Sequence, residues 1–387
     1  MASNINRRRF FRTNAAMGLS ASAAVVTPTM AALATGQPSP KLYYGPTPGI
    51  AKLDSNENPF GPSQSALEAM QTATHQGAYY SEDSIPWLKA MIAERHGVTP
   101  DHISLGSGSS SLLCSLSVAM TKKGHILAPD LFWDTTAQAG VRQGGKIMRL
   151  PKTPNLLLDL DAMEQAINPR TGMVHITNPN NPTGQLLDTN KLRDFCLRAT
   201  KKTTVLVDEA YNEITDNPEF NSMIPLVKAG HNLIVARTFS KLYGLAGMRV
   251  GYMISSPENA QMLSRYGIGD YTLNQAGLAA AIACYNDTKF LAKSKSQILK
   301  ARESLSVAVQ SQGLTHLPSQ TNFLFVNLGN LNAESFRQAM ASRNIWVRGI
   351  YRDYTNYSRV STGLPQDVDR YIKALPEVLA QLRSKAA

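Results

Sequence analysis

Lys241 stands in the run Arg237-Thr238-Phe239-Ser240-Lys241-Leu242-Tyr243-Gly244-Leu245-Ala246-Gly247-Met248-Arg249, directly after a β-type stretch. Small and apolar neighbours desolvate an amine, which lowers its pKa and makes it nucleophilic toward carbonyls. Taken alone, a lysine is most often a surface charge. Arg249, still close to the glycines, adds a fixed positive charge suited to a phosphate.

Three further runs could do chemistry. Thr204-Val205-Leu206-Val207-Asp208-Glu209-Ala210-Tyr211 is a buried-type strand that ends in a carboxylate, with a phenol three residues on. Singly, such an acid reads as a helix cap or a salt-bridge partner. With the tyrosine it also suits a protonated pyridine ring, which needs a carboxylate for its N–H and a hydroxyl for its ring oxygen. Asn178-Pro179-Asn180-Asn181-Pro182-Thr183-Gly184 is turn punctuation that can present an amide at a sheet edge. Leu105-Gly106-Ser107-Gly108-Ser109-Ser110-Ser111 joins a strand to a helix and offers free backbone N–H groups to an anion. It is neither a full G-x-G-x-x-G nor a Walker loop.

The elements that must position these runs alternate in type. Strands are predicted at 103–105, 125–128, 146–150, 173–177, 204–208, 233–237 and 250–254, with helices at 109–120, 134–143, 160–167 and 188–200 between them. The alternation predicts an α/β fold with a mainly parallel, doubly wound sheet, and ligands in such sheets bind beyond the carboxyl ends of the strands. All four runs fall just after strands. From about Phe290 a long helix, a strand at 322–327, a helix at 333–342, a short strand at 345–348 and a last helix at 367–383 predict a smaller α+β unit. The expected division is a signal at 1–34, an arm at 35–62, a large domain at 63–285 and a small C-terminal domain at 286–387.

The 387 residues carry a formal charge of +11, a balance that invites a nucleic-acid or membrane-surface reading. Four of the surplus charges are Arg7, Arg8, Arg9 and Arg12, in a first segment with no acid. The apolar run after them ends in Ala32-Leu33-Ala34, a small-x-small cleavage pattern, so the segment resembles a twin-arginine export signal. It predicts passage through the twin-arginine export machinery to the periplasm, without stable membrane insertion. Cys114, Cys196 and Cys284 are far apart in apolar contexts and read as buried unpaired thiols, and the histidine spacings signal no zinc site.

Together, the N-E-N-P-x-G-P arm at 56–62, N-P-N-N-P-T-G at 178–184, D-E-A-Y at 208–211 and S-K-x-x-G-L-A-G-x-R at 240–249 resemble the fold type I pyridoxal-phosphate aminotransferases of class I and II. Within them the chain is most similar to the histidinol-phosphate aminotransferase-like group. The resemblance runs from Lys52 to Gly363. It implies a transaminase that passes an amine from an amino acid, or an amine such as histidinol phosphate, to a 2-oxo acid. Lys241 would bond the cofactor covalently and move the α-proton, Asp208 would bond the ring nitrogen, and Asn181 and Tyr211 the ring oxygen. Phe132 matches the aromatic that stacks on the ring. Ser109 and Ser110 through their N–H groups, the Ser240 hydroxyl and Arg249 would hold the phosphate. Tyr80 matches a tyrosine lent to the neighbouring subunit, which implies a homodimer. Arg359 matches the arginine that grips the substrate carboxylate. Arg348 is a second candidate for a substrate phosphate, and Asn58 is placed on the substrate side. Decarboxylases and racemases share these motifs, and a non-catalytic binding protein on the same scaffold is the third reading.

Overall fold

The computed structural model describes residues 42–151, 153–267 and 269–386. The expected export segment, residues 1–34, lies outside them. The chain divides into a unit ending at Pro48, of which the exposed residues 42–48 are described, and a unit running from Gly49 to Ala387. Among the described residues no helix is long and apolar enough to cross a membrane.

In the second unit β1 is Ala51–Lys52, β2 Ile103–Ser107, β3 His125–Pro129, β4 Ile147–Leu150, β5 Thr171–Thr177, β6 Thr204–Asp208, β7 Leu233–Thr238 and β8 Val250–Ile254. Strands β2 to β8 form one sheet in the order β2-β8-β7-β6-β5-β3-β4. The pairs β7/β6, β6/β5, β5/β3 and β3/β4 are parallel. The sheet is mainly parallel, as the alternation predicts, and β8 is its exception, running antiparallel to both β7 and β2. The reason is local. Residues 239–249 join β7 to β8 without a crossover helix, and a parallel return needs one.

The sheet is buried on both faces, as near-continuous apolar strands require. Val174, Ile176, Val205, Val207 and Val235 face one core, and Met173, Leu206, Ile234, Ala236 and Met253 face the other, where Leu112 and Leu116 of helix α1 (Gly108–Thr121) pack. Helix α2 (Thr189–Ala199) starts at Asp188, whose carboxylate accepts from Lys191 N–H, and buries Leu192, Phe195, Cys196 and Ala199 at helical spacing. The expected helix at 134–143 is confined to Gln138–Arg142.

A second core gathers Leu305 and Val309 of helix α3 (Thr288–Ser311), Leu375 and Leu379 of helix α4 (Pro365–Ala386), and Leu324, Val326 and Val360. The last three lie on β10 (Phe323–Asn327) and β12 (Tyr357–Ser361), which pair antiparallel, with β9 (Thr315–His316) on the far side of β10. Strand β11 (Ile345–Trp346) pairs parallel with β1, and Ala51 and Leu53 join this second core. That pairing carries the following residues, 54–57, to the carboxyl ends of the large sheet's strands. Of the three thiols, Cys196 and Cys284 are buried and Cys114 is half-buried.

Candidate active site

A cavity of about 400 Å³ lies beyond the carboxyl ends of β5, β6 and β7. Ser109, Ser110, Asn181, Asp208, Tyr211, Ser240, Lys241, Arg249, Arg348 and Arg359 all line it. Residues spread over 251 positions of sequence therefore meet in one place, most of them delivered by a strand end or the turn or helix start that follows it.

The loop between β7 and β8 supplies the lysine and one end of the cavity. Thr238 Oγ1 donates to Ser240 Oγ at 3.0 Å and accepts from Ser240 N–H at 3.1 Å, which fixes the turn beside Lys241. Arg249, at φ 54°, donates to the Ala246 carbonyl at 2.9 Å and to Ser240 Oγ at 3.4 Å. Facing them is the N-terminus of α1, where no side chain caps the first turn. Its orphan N–H groups and the adjacent guanidinium make an anion pocket. Gly108 sits at φ +69°, a backbone conformation that favours glycine, and a side chain there would push the Arg249 guanidinium aside.

Asp208 ends β6, accepts from Ala210 N–H at 3.2 Å, and is pushed up to about 6 by burial. Burial, with Arg359 adding to it, lowers Lys241 to about 8. The Tyr211 phenol is pushed up to about 12, again chiefly by burial. Asn181 donates to the Tyr211 hydroxyl at 3.4 Å and accepts from Arg359 Nη1 at 2.8 Å. Arg359 lies within β12, not after a strand, and its Nη2 donates to the Asp54 carbonyl at 2.7 Å. Burial lowers the Arg359 pKa from its ordinary value.

Two expected residues sit elsewhere, and a third is expected to serve a neighbouring subunit. Asn58 is spent on packing: its amide donates to the Leu242 carbonyl at 2.9 Å and Ser294 Oγ at 2.8 Å, and its oxygen accepts from Phe60 N–H. Phe132 is buried with its ring edge-on to His175 at 5.0 Å, and its neighbour Trp133 lines the cavity instead. Tyr80 is 83% exposed and stands outside the cavity of its own chain.

The sequence reading also missed residues that line the site. Asn56, two positions before Asn58 in the same arm, is buried at φ 52°, donates to the Tyr211 hydroxyl at 3.1 Å, and accepts from Lys241 Nζ on its carbonyl at 3.0 Å. The arm was the available signal, but not which asparagine faced inward. Thr177 and Tyr351 also line the cavity, and nothing in their local sequence marks them.

The donor set fits pyridoxal phosphate. A buried carboxylate, a half-buried and desolvated amine, two donors onto a phenol and an uncapped helix end beside an arginine match its ring nitrogen, aldehyde, ring oxygen and phosphate in turn. Thr177 Oγ1 and Arg359 Nε are buried in the cavity wall without a hydrogen-bond partner, as expected where a bound group completes the site. Among the described residues no cluster of His, Cys, Asp or Glu could hold a metal ion.

The aminotransferase class I and II profile matches residues 48–375. The chain belongs to the class I and II aminotransferase family. It is 34% identical over 333 residues to the histidinol-phosphate aminotransferase of Moorella thermoacetica, covering 86% of each chain. It is 35% identical over 337 residues to histidinol-phosphate aminotransferase 2 of Pseudomonas fluorescens, covering 86% of this chain and 90% of that one. The crystal structure of the Sinorhizobium meliloti histidinol-phosphate aminotransferase in complex with pyridoxal-5'-phosphate matches with a TM-score of 0.77 at 29% identity, covering 93% of this chain and 96% of that one. The protein is a pyridoxal-phosphate-dependent aminotransferase, and its α/β architecture is that of fold type I.

Proposed function

We propose that this aminotransferase takes an amino donor carrying one anionic group, an α-amino acid or an amino alcohol phosphate such as histidinol phosphate, and passes its amine to a 2-oxo acid. The observation that carries this reading is the meeting of Lys241, Asp208 and Arg359 in one cavity. When bound, pyridoxal phosphate supplies a conjugated pyridinium that accepts the electron pair released at the donor Cα. Lys241 is the residue to bond it, Asp208 to hold its ring N–H, Asn181 and Tyr211 its ring oxygen, and Ser109, Ser110, Ser240 and Arg249 its phosphate.

The chain's own groups then divide the work. Arg359, clamped through both Nη atoms, grips the donor's anion and sets the Cα–H bond toward Lys241. Lys241, lowered to about 8, is far closer to its free-base form near neutral pH than an ordinary lysine, and takes the Cα proton. Holding a carboxylate in place while the proton leaves favours amine transfer over loss of carbon dioxide. Arg348, on the same wall, is the second cation for a doubly charged phosphate.

A homodimer belongs to this reading. Tyr79, Tyr80 and Tyr271 form an exposed aromatic patch of the kind a second copy covers. Export belongs to it through Arg7 and Arg8 and the apolar run that follows them. Changing both arginines to lysine is expected to hold the protein in the cytoplasm, and unchanged export would refute that part.

The deciding experiment offers a panel of α-amino acids and histidinol phosphate with and without 2-oxoglutarate. Expected is amine transfer that needs the acceptor in stoichiometric amount and disappears in Lys241→Ala. Carbon dioxide release, or a racemised donor without any acceptor, would assign a decarboxylase or racemase instead.

A further inference from the structure

Tyr351 lines the cavity but holds neither the cofactor nor the donor in the reading above. It lies between β11 and β12 and lines the same cavity as Arg348 and Arg359. Both guanidiniums approach its ring, with their central carbons 6.0 Å and 5.6 Å from its centroid. The ring thus lies within cation–π reach of two like charges and offsets part of their repulsion. Phe325 packs edge-on to the same ring at 5.8 Å.

The hydroxyl is the unexplained part. It is buried without a hydrogen-bond partner, and so is Arg359 Nε on the same wall. A buried donor left unmade is costly, and such groups in a cavity wall point to a ligand that completes them. Tyr351 is also held in place before any ligand arrives. Tyr354 N–H donates to the Tyr351 carbonyl at 2.9 Å, the Tyr354 hydroxyl donates to Asp130 Oδ2 at 2.9 Å, and Arg352 pairs with the same carboxylate at 3.3 Å. This turn is therefore tied to the segment after β3 that brings Trp133 to the cavity.

We propose that Tyr351 is a substrate-binding residue whose hydroxyl donates to the donor's anionic group beside Arg359 and Arg348. The assignment rests on the reading of Arg359 as the anion-gripping residue. Arg359 already commits Nη1 to Asn181 and Nη2 to Asp54, so part of its fork is occupied before substrate binds. A neutral donor supplements the remaining edge without adding a third positive charge to a crowded pair. Three donors arriving from three side chains also give the site a handle on anion shape: a tetrahedral phosphate has an oxygen for each, whereas a planar carboxylate has only two oxygens to share among them.

The test compares wild-type holoenzyme with Tyr351→Phe, which keeps the ring and its cation contacts and removes only the hydroxyl. The KM for the amino donor is expected to rise roughly tenfold with kcat changed less than about threefold, as loss of one charge-assisted hydrogen bond implies. Calorimetric titration with inorganic phosphate and with acetate, on cofactor-loaded protein, is expected to show phosphate binding weakened by roughly tenfold and acetate binding weakened less. Cofactor affinity and thermal midpoint should stay as in wild type. Unchanged KM and phosphate affinity would overturn the proposal, as would a wild type that binds neither anion. A fall in cofactor affinity and thermal midpoint that accounts for the kinetic loss would also overturn it, by making Tyr351 structural. If wild type transfers no amine from any donor, the proposed function fails by itself, and the phosphate titration still decides Tyr351.

Discussion

Lys241 Nζ donates to the main-chain carbonyl of Asn56 across 3.0 Å, and the Asn56 side chain in turn donates to the Tyr211 hydroxyl at 3.1 Å. One residue of the arm therefore touches both the amine and the phenol of the site. Its own position is fixed from behind: Ser361 Oγ donates to Asn56 Oδ1 at 2.6 Å, and Asn322 Nδ2 donates to the Asn56 carbonyl at 3.0 Å. Ser361 and Asn322 belong to the segments that carry or flank Arg359, so the cavity's two walls are joined through Asn56.

Asn56 sits at φ 52°, a left-handed conformation that asparagine adopts more readily than alanine. Asn56→Gly keeps the backbone and loses the amide, whereas Asn56→Ala loses both. Both variants are expected to bind pyridoxal phosphate more weakly than wild type, by roughly tenfold in equilibrium dialysis, because a donor to Tyr211 is gone. Only the alanine variant should show an added loss of about 1–2 kcal/mol in denaturant unfolding. Equal stability of the two variants would show that the backbone at this position carries no strain.

The contrast between Asn56 and Asn58 marks how far the sequence could be read. Lys241, Asp208, Asn181, Ser240 and Arg249 sit in short runs after strands, where type and spacing carry the signal, and all of them line the cavity. Asn56, Trp133 and Tyr351 reach it through contacts made by distant elements, such as the pairing of β1 with β11. The resemblance points to Phe132, but Trp133 lines the cavity, and nothing local tells which of two adjacent aromatics turns inward. The direction of β8 was hidden for a related reason: the strand pattern is the same either way, and only the absence of a crossover helix in residues 239–249 decides it.

Asp208 is expected to cost stability where it is needed for function. Its carboxyl is raised from 3.8 to about 6 by burial, so the folded protein holds a proton that the unfolded chain has released between those values. Stability of the cofactor-free protein is thus lost as pH rises from about 4 to 6, and the cost stands in full above 6, at about 3 kcal/mol. Cofactor-free Asp208→Asn should then be more stable than cofactor-free wild type at pH 8 by up to that amount, with the gap closing toward pH 4. The same variant should lose roughly a hundredfold or more in transamination, since a neutral amide no longer stabilises the ring's positive charge. Chemical unfolding at both pH values reads the first effect; a gap that does not change with pH would contradict it.

One residue before Thr238 of the cavity wall, Arg237 of β7 is bound to two acids. Its guanidinium pairs with Glu209 at 2.7 Å and Glu213 at 2.9 Å, and the completely buried Glu209 also accepts from Met223 N–H at 2.6 Å and Ser222 Oγ at 3.0 Å. Burial raises the Glu209 carboxyl, and Arg237 works against that rise. Arg237→Met leaves the acid buried without its cation, which should cost about 3–5 kcal/mol in unfolding free energy. The pH dependence separates this from a simple packing loss. Without Arg237 the Glu209 carboxyl rises further in the folded state, so the variant's deficit should be smallest in acid and grow as pH rises through that value. Pairing the change with Glu209→Gln removes the titrating group and should flatten the pH dependence while recovering part of the lost stability. Because Glu209 follows Asp208 directly, the single variant should also bind pyridoxal phosphate more weakly, and the double variant should regain part of that affinity.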